Sequence, residues 1–191
     1  MHRLPVPVRW LHVKRLFYQH FCQEDITVAQ SHKDILIEWL QEAHAFAKHG
    51  ETMLSGRTDA LEDEYPELAA RLREHVDETR AHQKELAALL ADLGSDVSKA
   101  KDIGGKVSAV GHSWGTQMSG ETAVQSVAAS IAFEHFEIAN YRALVTTAEA
   151  ADESQAKAKL ESLVADDVAM AKWLEDVLVD TTRHYLTAQH E

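Results

Sequence analysis

One cysteine, three prolines and eight glycines are all that 191 residues contain of the types that cross-link or bend a chain. Cys22 has no partner within the chain, so an internal disulfide is excluded and stability must come from packing or metal. So few glycines and prolines leave too few turns for an all-β sandwich or barrel. No apolar run reaches the ~18 residues a membrane span needs, and the first residues lack the apolar stretch of a secretory signal. The expectation is a cytoplasmic protein with no membrane span. Basic residues are also scarce, 19 against 31 acidic, for a formal charge of -12. Arg3, Arg9, Lys14 and Arg15 lie in residues 1–20, which contain no acid. The rest is therefore more acidic than the total suggests and repels nucleic acid. Residues 1–31 read as a basic N-terminal extension, and residues 32–191 as one helical domain.

What is present is helical periodicity. Ser31, three residues before Asp34, resembles a capping box. A first helix is predicted from there to Leu54, on a stripe of Ile35, Trp39, Phe46 and Met53 with Leu36, Leu40, Ala43 and Ala47 beside it, ending at Ser55-Gly56. Pro66 suits the first turn of a second helix, which runs to about Leu93 before Gly94. Residues 95–120 hold five glycines and read as a long connection. A third helix from about Glu121 to Glu149 and a fourth from about Ser154 to Tyr185 follow, with a short link between them. Connections that are short, long and short predict an all-α, ferritin-like four-helix bundle with a long crossover between helices 2 and 3.

Acids recur on the apolar stripes. Glu42 stands at helical steps from Trp39 and Phe46. His75, Glu78 and His82 share a face of helix 2. Glu134 sits between Ile131 and Ile138, with Glu137 one turn on, and Asp167 lies between Val164 and Ala171. An ionised carboxylate taken from water loses several kcal/mol, so inward acids on four helices require a positive partner. Two iron ions, or manganese, are the simplest partner, because hard oxygen ligands with imidazole suit both metals. The candidate metal ligands are Glu42, Glu78, His82, Glu134, Glu137 and Asp167. The competing expectation places these acids at helix edges, paired with Arg73, Arg80, Arg142 or Lys172. His44, His49 and His184 read as surface or edge groups, and His135 as a packing or supporting residue.

The run Glu134-His135-Phe136-Glu137-Ile138-Ala139-Asn140-Tyr141, with His75-Val76-Asp77-Glu78-Thr79, resembles bacterial stress-associated ferritin-like proteins of the YciE/YciF type over about residues 34–186. That resemblance implies a rubrerythrin-related bundle, a homodimer, and Glu42, Glu78, Glu134, Glu137 and Asp167 at metal-ligand positions. His82 departs from the Gln more usual there, and Ala171 from a second helix-4 acid. The implied function is a carboxylate-bridged di-metal protein of the stress response with oxidase or peroxidase chemistry, Tyr141 serving as a nearby electron or hydrogen-bond donor. The alternative is a non-catalytic bundle with a degenerate site. A third reading comes from Gly111-His112-Ser113-Trp114-Gly115, which matches a serine-hydrolase elbow with Ser113 as nucleophile. It lacks the surrounding sheet pattern, and Asp180 and His184 stand too close together on one helix to complete a triad.

Overall fold

A computed structural model describes residues 30–99 and 122–189. The basic extension, but for its last two residues, and the elbow motif with Ser113 lie outside the described residues. Four long helices account for nearly all that is described: α1 (His32–Leu61), α2 (Pro66–Asp92), α3 (Ala123–Ala150) and α4 (Ser154–Ala188). A single 3-10 turn, Val97–Lys99, follows α2. Among the described residues there is no strand, and no helix is long and apolar enough to cross a membrane.

The helix ends follow local chemistry. Ser31 accepts from the Asp34 backbone N–H while the Asp34 carboxylate accepts from Ser31, closing the predicted capping box. Thr122 and Gln125 form the same device at α3. Gly94, at φ +80°, lets the Ser95 N–H reach the Leu90 carbonyl and ends α2. Asp152, at φ 58°, plays the same part after α3, where the Glu153 N–H reaches the Ala148 carbonyl. The first helix does not stop at Ser55-Gly56. It runs two turns further, because Leu54, Thr58 and Leu61 are buried and their packing outweighs the ~1 kcal/mol cost of a helical glycine.

Topology follows from paired contacts. Glu51 meets Arg80 and Gln41 meets Ser95, so α2 runs against α1. His32 meets the Ala150 carbonyl and Arg57 meets Ser130, so α3 also runs against α1. Helices α2 and α3 are therefore parallel, and the chain between them must travel the length of the bundle, as the predicted crossover requires. Lys157 pairs with Glu149, and Lys159 with Glu85, setting α4 against both α3 and α2. The pairs α1–α2 and α3–α4 pack intimately, whereas α2 and α4 touch sparsely.

The core is split. One apolar cluster gathers Leu36, Leu40, Leu86, Leu90, Tyr141, Leu144, Leu160 and Leu163. A second, at the other end, gathers Leu54, Leu68, Leu72, Val127, Met170 and Leu174. Between them lies a polar layer of His75, Thr79, His82, Glu134, Glu137 and Asp167, all buried.

A buried carboxylate centre

Glu134 and Glu137 stand one turn apart on α3, and Asp167 faces them from α4. One carboxylate oxygen from each lies within 4.8 Å of the others, a spacing that suits a shared metal ion. None of the three is more than 2% exposed. Among the described residues, Glu134 Oε2 and both Asp167 oxygens accept no hydrogen bond. Burial, then the Glu134 charge, pushes the Glu137 carboxyl well above its ordinary range, although Tyr141 Oη donates to it at 3.5 Å. Burial, then the Glu137 and Glu134 charges, pushes Asp167 up to about 9. The same burial and charges push the Tyr141 phenol well up, so it remains protonated and can only donate to an ionised Glu137.

Two imidazoles connect this centre to the surface. His75, on α2, bonds Glu134 Oε1 through Nε2 and Glu78 Oε2 through Nδ1, each at 2.9 Å. With both acids ionised, both nitrogens must carry hydrogen. Burial opposes that charge, but the bonds and charges of Glu134 and Glu78 hold the His75 pKa above its ordinary value. His82 stands between two adjacent α4 acids, with Nε2 3.4 Å from Asp166 Oδ2 and Nδ1 3.5 Å from Asp167 Oδ1. Here burial wins, and the His82 pKa is lowered.

Of the candidate ligands, the structure brings Glu134, Glu137 and Asp167 together and sets His82 beside them. Glu78 is one imidazole away, its side chain 43% exposed and held by Arg71. Glu42 is half-buried and outside the group. The reason lies in the phase of α1. Its fully buried row is Leu36, Leu40, Ala43 and Ala47, one residue round from the row through Trp39, which is 41% exposed. Glu42 follows Trp39 toward the edge. At the height of the centre α1 presents Gly50, against which the Phe133 ring lies so closely that a Cβ would sit 2.1 Å from Cζ.

The edge-pairing expectation fails for the three central acids. Arg73 pairs with Glu62, Arg80 with Glu51 and Asp77, and Lys172 with Asp176. Glu78 does lie at an edge, but its partner is Arg71, which that expectation did not name. His184 pairs with Glu64 at the surface. His135 turns out to solvent and pairs with Glu175, because it lies about 100° round the helix from Glu134. His75 was not among the candidate ligands, although its three-residue step to Glu78 carried the signal.

The donor set fits a hard metal ion. It offers buried carboxylate oxygens without partners, the His82 imidazole beside them, and no thiolate among the described residues. The chain resembles two solved structures. A protein from Xanthomonas campestris pv. campestris has 28% identity and a TM-score of 0.71, covering 84% of this chain and all of that one. A ferritin like, diiron-carboxylate protein from Bacillus anthracis str. Ames has 17% identity and a TM-score of 0.63, covering 77% of this chain and 97% of that one. The second likeness agrees with the ferritin-like bundle reached from helix pairing. The family described as "Domain of unknown function (DUF892)" matches residues 31–187, and the chain belongs to that family.

Proposed function

We propose that this protein binds a pair of iron or manganese ions in the layer between its two apolar clusters. The observation that carries the proposal is the mutual approach of Glu134, Glu137 and Asp167 in a dry interior, with three oxygens left unpartnered. Three ionised carboxylates so placed repel one another, and cations offset that repulsion while supplying the missing partners. Glu134, Glu137 and Asp167 would hold the ions, with His82 as imidazole donor. When bound, such a pair supplies electron exchange with dioxygen or peroxide.

The remaining residues set the conditions. The apolar clusters on either side exclude water from the layer. His75 fixes the orientation of Glu134, and Glu78 in turn fixes His75. Tyr141 holds a proton against Glu137, ready for donation. A stress-protective role as a cytoplasmic homodimer belongs to the same proposal and rests on the α3 sequence run. Metal analysis of protein purified without a metal-binding tag tests it: at least one equivalent of iron or manganese is expected, and well under one speaks against it.

A second reading is a bundle that retains this architecture without metal. It is favoured by α1, which adds no acid to the cluster, and by the raised pKa of Asp167 and Glu137, which lets both sit neutral. Glu134→Ala separates the two readings. It abolishes metal content in a folded protein if the acids are ligands, and changes only stability if they are not.

A further inference from the structure

Two chains of identical chemistry run from the α2–α4 seam to the buried layer. Each passes from an exposed carboxylate through a buried imidazole to a buried carboxylate: Glu78–His75–Glu134 and Asp166–His82–Asp167. They differ in what guards the outer end. Arg71 pairs with Glu78 and lies over the Trp173 ring at 5.8 Å, so a guanidinium stands across the first chain. Among the described residues, Asp166 faces no Lys or Arg at ion-pair distance, and its side chain is 58% exposed.

The imidazoles also differ. His75 is bonded at 2.9 Å on both sides, which locks it. His82 stands at 3.4 Å and 3.5 Å from its two acids, bridging them without a short bond to either. Behind it, Asp167 is 0% exposed and neither of its oxygens accepts a hydrogen bond. Because Asp166 and Asp167 are consecutive on one helix, they point about 100° apart. One therefore reaches solvent while the other reaches the interior, and the ring spans the step. The seam is also sparsely packed beside the α1–α2 and α3–α4 pairs.

We propose that Asp166 and His82 form the portal through which a divalent cation reaches the buried centre, while Arg71 closes the parallel route at Glu78. Asp166 captures the ion at the surface, and His82 passes it to Asp167. The ion keeps an oxygen or nitrogen ligand at each stage, so it need not be stripped of water in one step. No bond to carbon forms or breaks, and no electron moves. This rests on the metal-centre reading and concerns rate, whereas that reading concerns equilibrium.

The full chain, stripped of metal and mixed with Co2+ in a stopped-flow instrument, reports loading through tryptophan fluorescence, and calorimetry with Co2+ reports affinity and stoichiometry. Asp166→Asn, at an exposed position, should slow loading by about three- to tenfold at low ionic strength, with stoichiometry unchanged. Asp180→Asn, which removes an equal charge from a remote and exposed part of α4, should leave the rate near wild type. Wild-type loading by Asp166→Asn, or equal slowing by Asp180→Asn, overturns the portal. Weakened binding with lost stoichiometry in Asp166→Asn also overturns it, by making Asp166 a ligand. Absence of Co2+ binding in the wild-type protein would instead sink the metal-centre reading.

Discussion

Glu134 and His75 meet between α3 and α2 at 2.9 Å, and that bond engages only Oε1 of the carboxylate, leaving Oε2 buried without a hydrogen-bond partner among the described residues. A side chain held on one oxygen and idle on the other is poised to accept something further. Asp167, with both oxygens idle, is in the same condition to a greater degree.

Such a centre lowers the stability of the metal-free protein. Asp167→Asn removes a carboxyl that burial and the Glu137 and Glu134 charges hold far from its ordinary ionisation. The metal-free variant should be about 1–3 kcal/mol more stable than wild type at pH 8, by urea denaturation. Added Mn2+ should raise the wild-type Tm and leave that of the variant unchanged. A less stable variant that still responds to Mn2+ contradicts this.

The pH dependence has a definite sign. Burial and the Glu137 and Glu134 charges push Asp167 up to about 9 in the folded chain, from 3.8 for an unperturbed carboxyl, so across that interval the folded chain holds a proton the unfolded chain has released. His75, raised above 6.5, also holds its proton more tightly when folded. Stability contributed by both is present at lower pH and lost as pH rises through the folded values. His82 acts oppositely, but below 6.5. The metal-free protein should therefore lose stability steadily from pH 7 to 9. With saturating Mn2+ the loss should vanish or reverse, since metal displaces the same protons. A flat metal-free profile would argue against a cluster of buried acids.

Close approach of α1 to α3 gives a third test. Gly50→Ala places a methyl carbon 2.1 Å from Phe133 Cζ, far inside contact distance, and the ring cannot yield freely because it is buried and stacked on Phe46 at 4.8 Å. A cost of about 1–3 kcal/mol is expected. Since Phe133 precedes Glu134, metal affinity should fall as well. Gly56→Ala, where no atom lies within 4 Å, should stabilise α1 by roughly 0.5–1 kcal/mol instead. Equal effects at the two sites contradict the packing described.

The bundle was legible because its signals are local. Caps at Ser31 and Gly94, Pro66 at a first turn, and one long connection among short ones each depend on a few neighbouring residues. Glu134, Glu137 and Asp167 were legible because apolar neighbours on both sides fix the phase of their helices. Glu42 stands off the fully buried row because Trp39 and Leu40 both suit a core position, and a one-residue rotation moves a side chain by about 100°. Glu78 and His75 depend on which turn of α2 lies level with Glu134. That register is set by packing between helices far apart in sequence, which periodicity within one helix does not encode. Arg71, seven residues before Glu78, is two turns away on the same face, and its reach over Trp173 emerges only once α2 and α4 are side by side.

The most direct measurement is an anaerobic calorimetric titration of metal-stripped protein with Fe2+, run beside the Glu134→Ala/Glu137→Ala double variant, whose helical content is verified by circular dichroism. The account predicts saturable uptake of two ions per chain by the wild type and none by the folded variant. No saturable uptake by the wild type, or the same isotherm from both proteins, would contradict it.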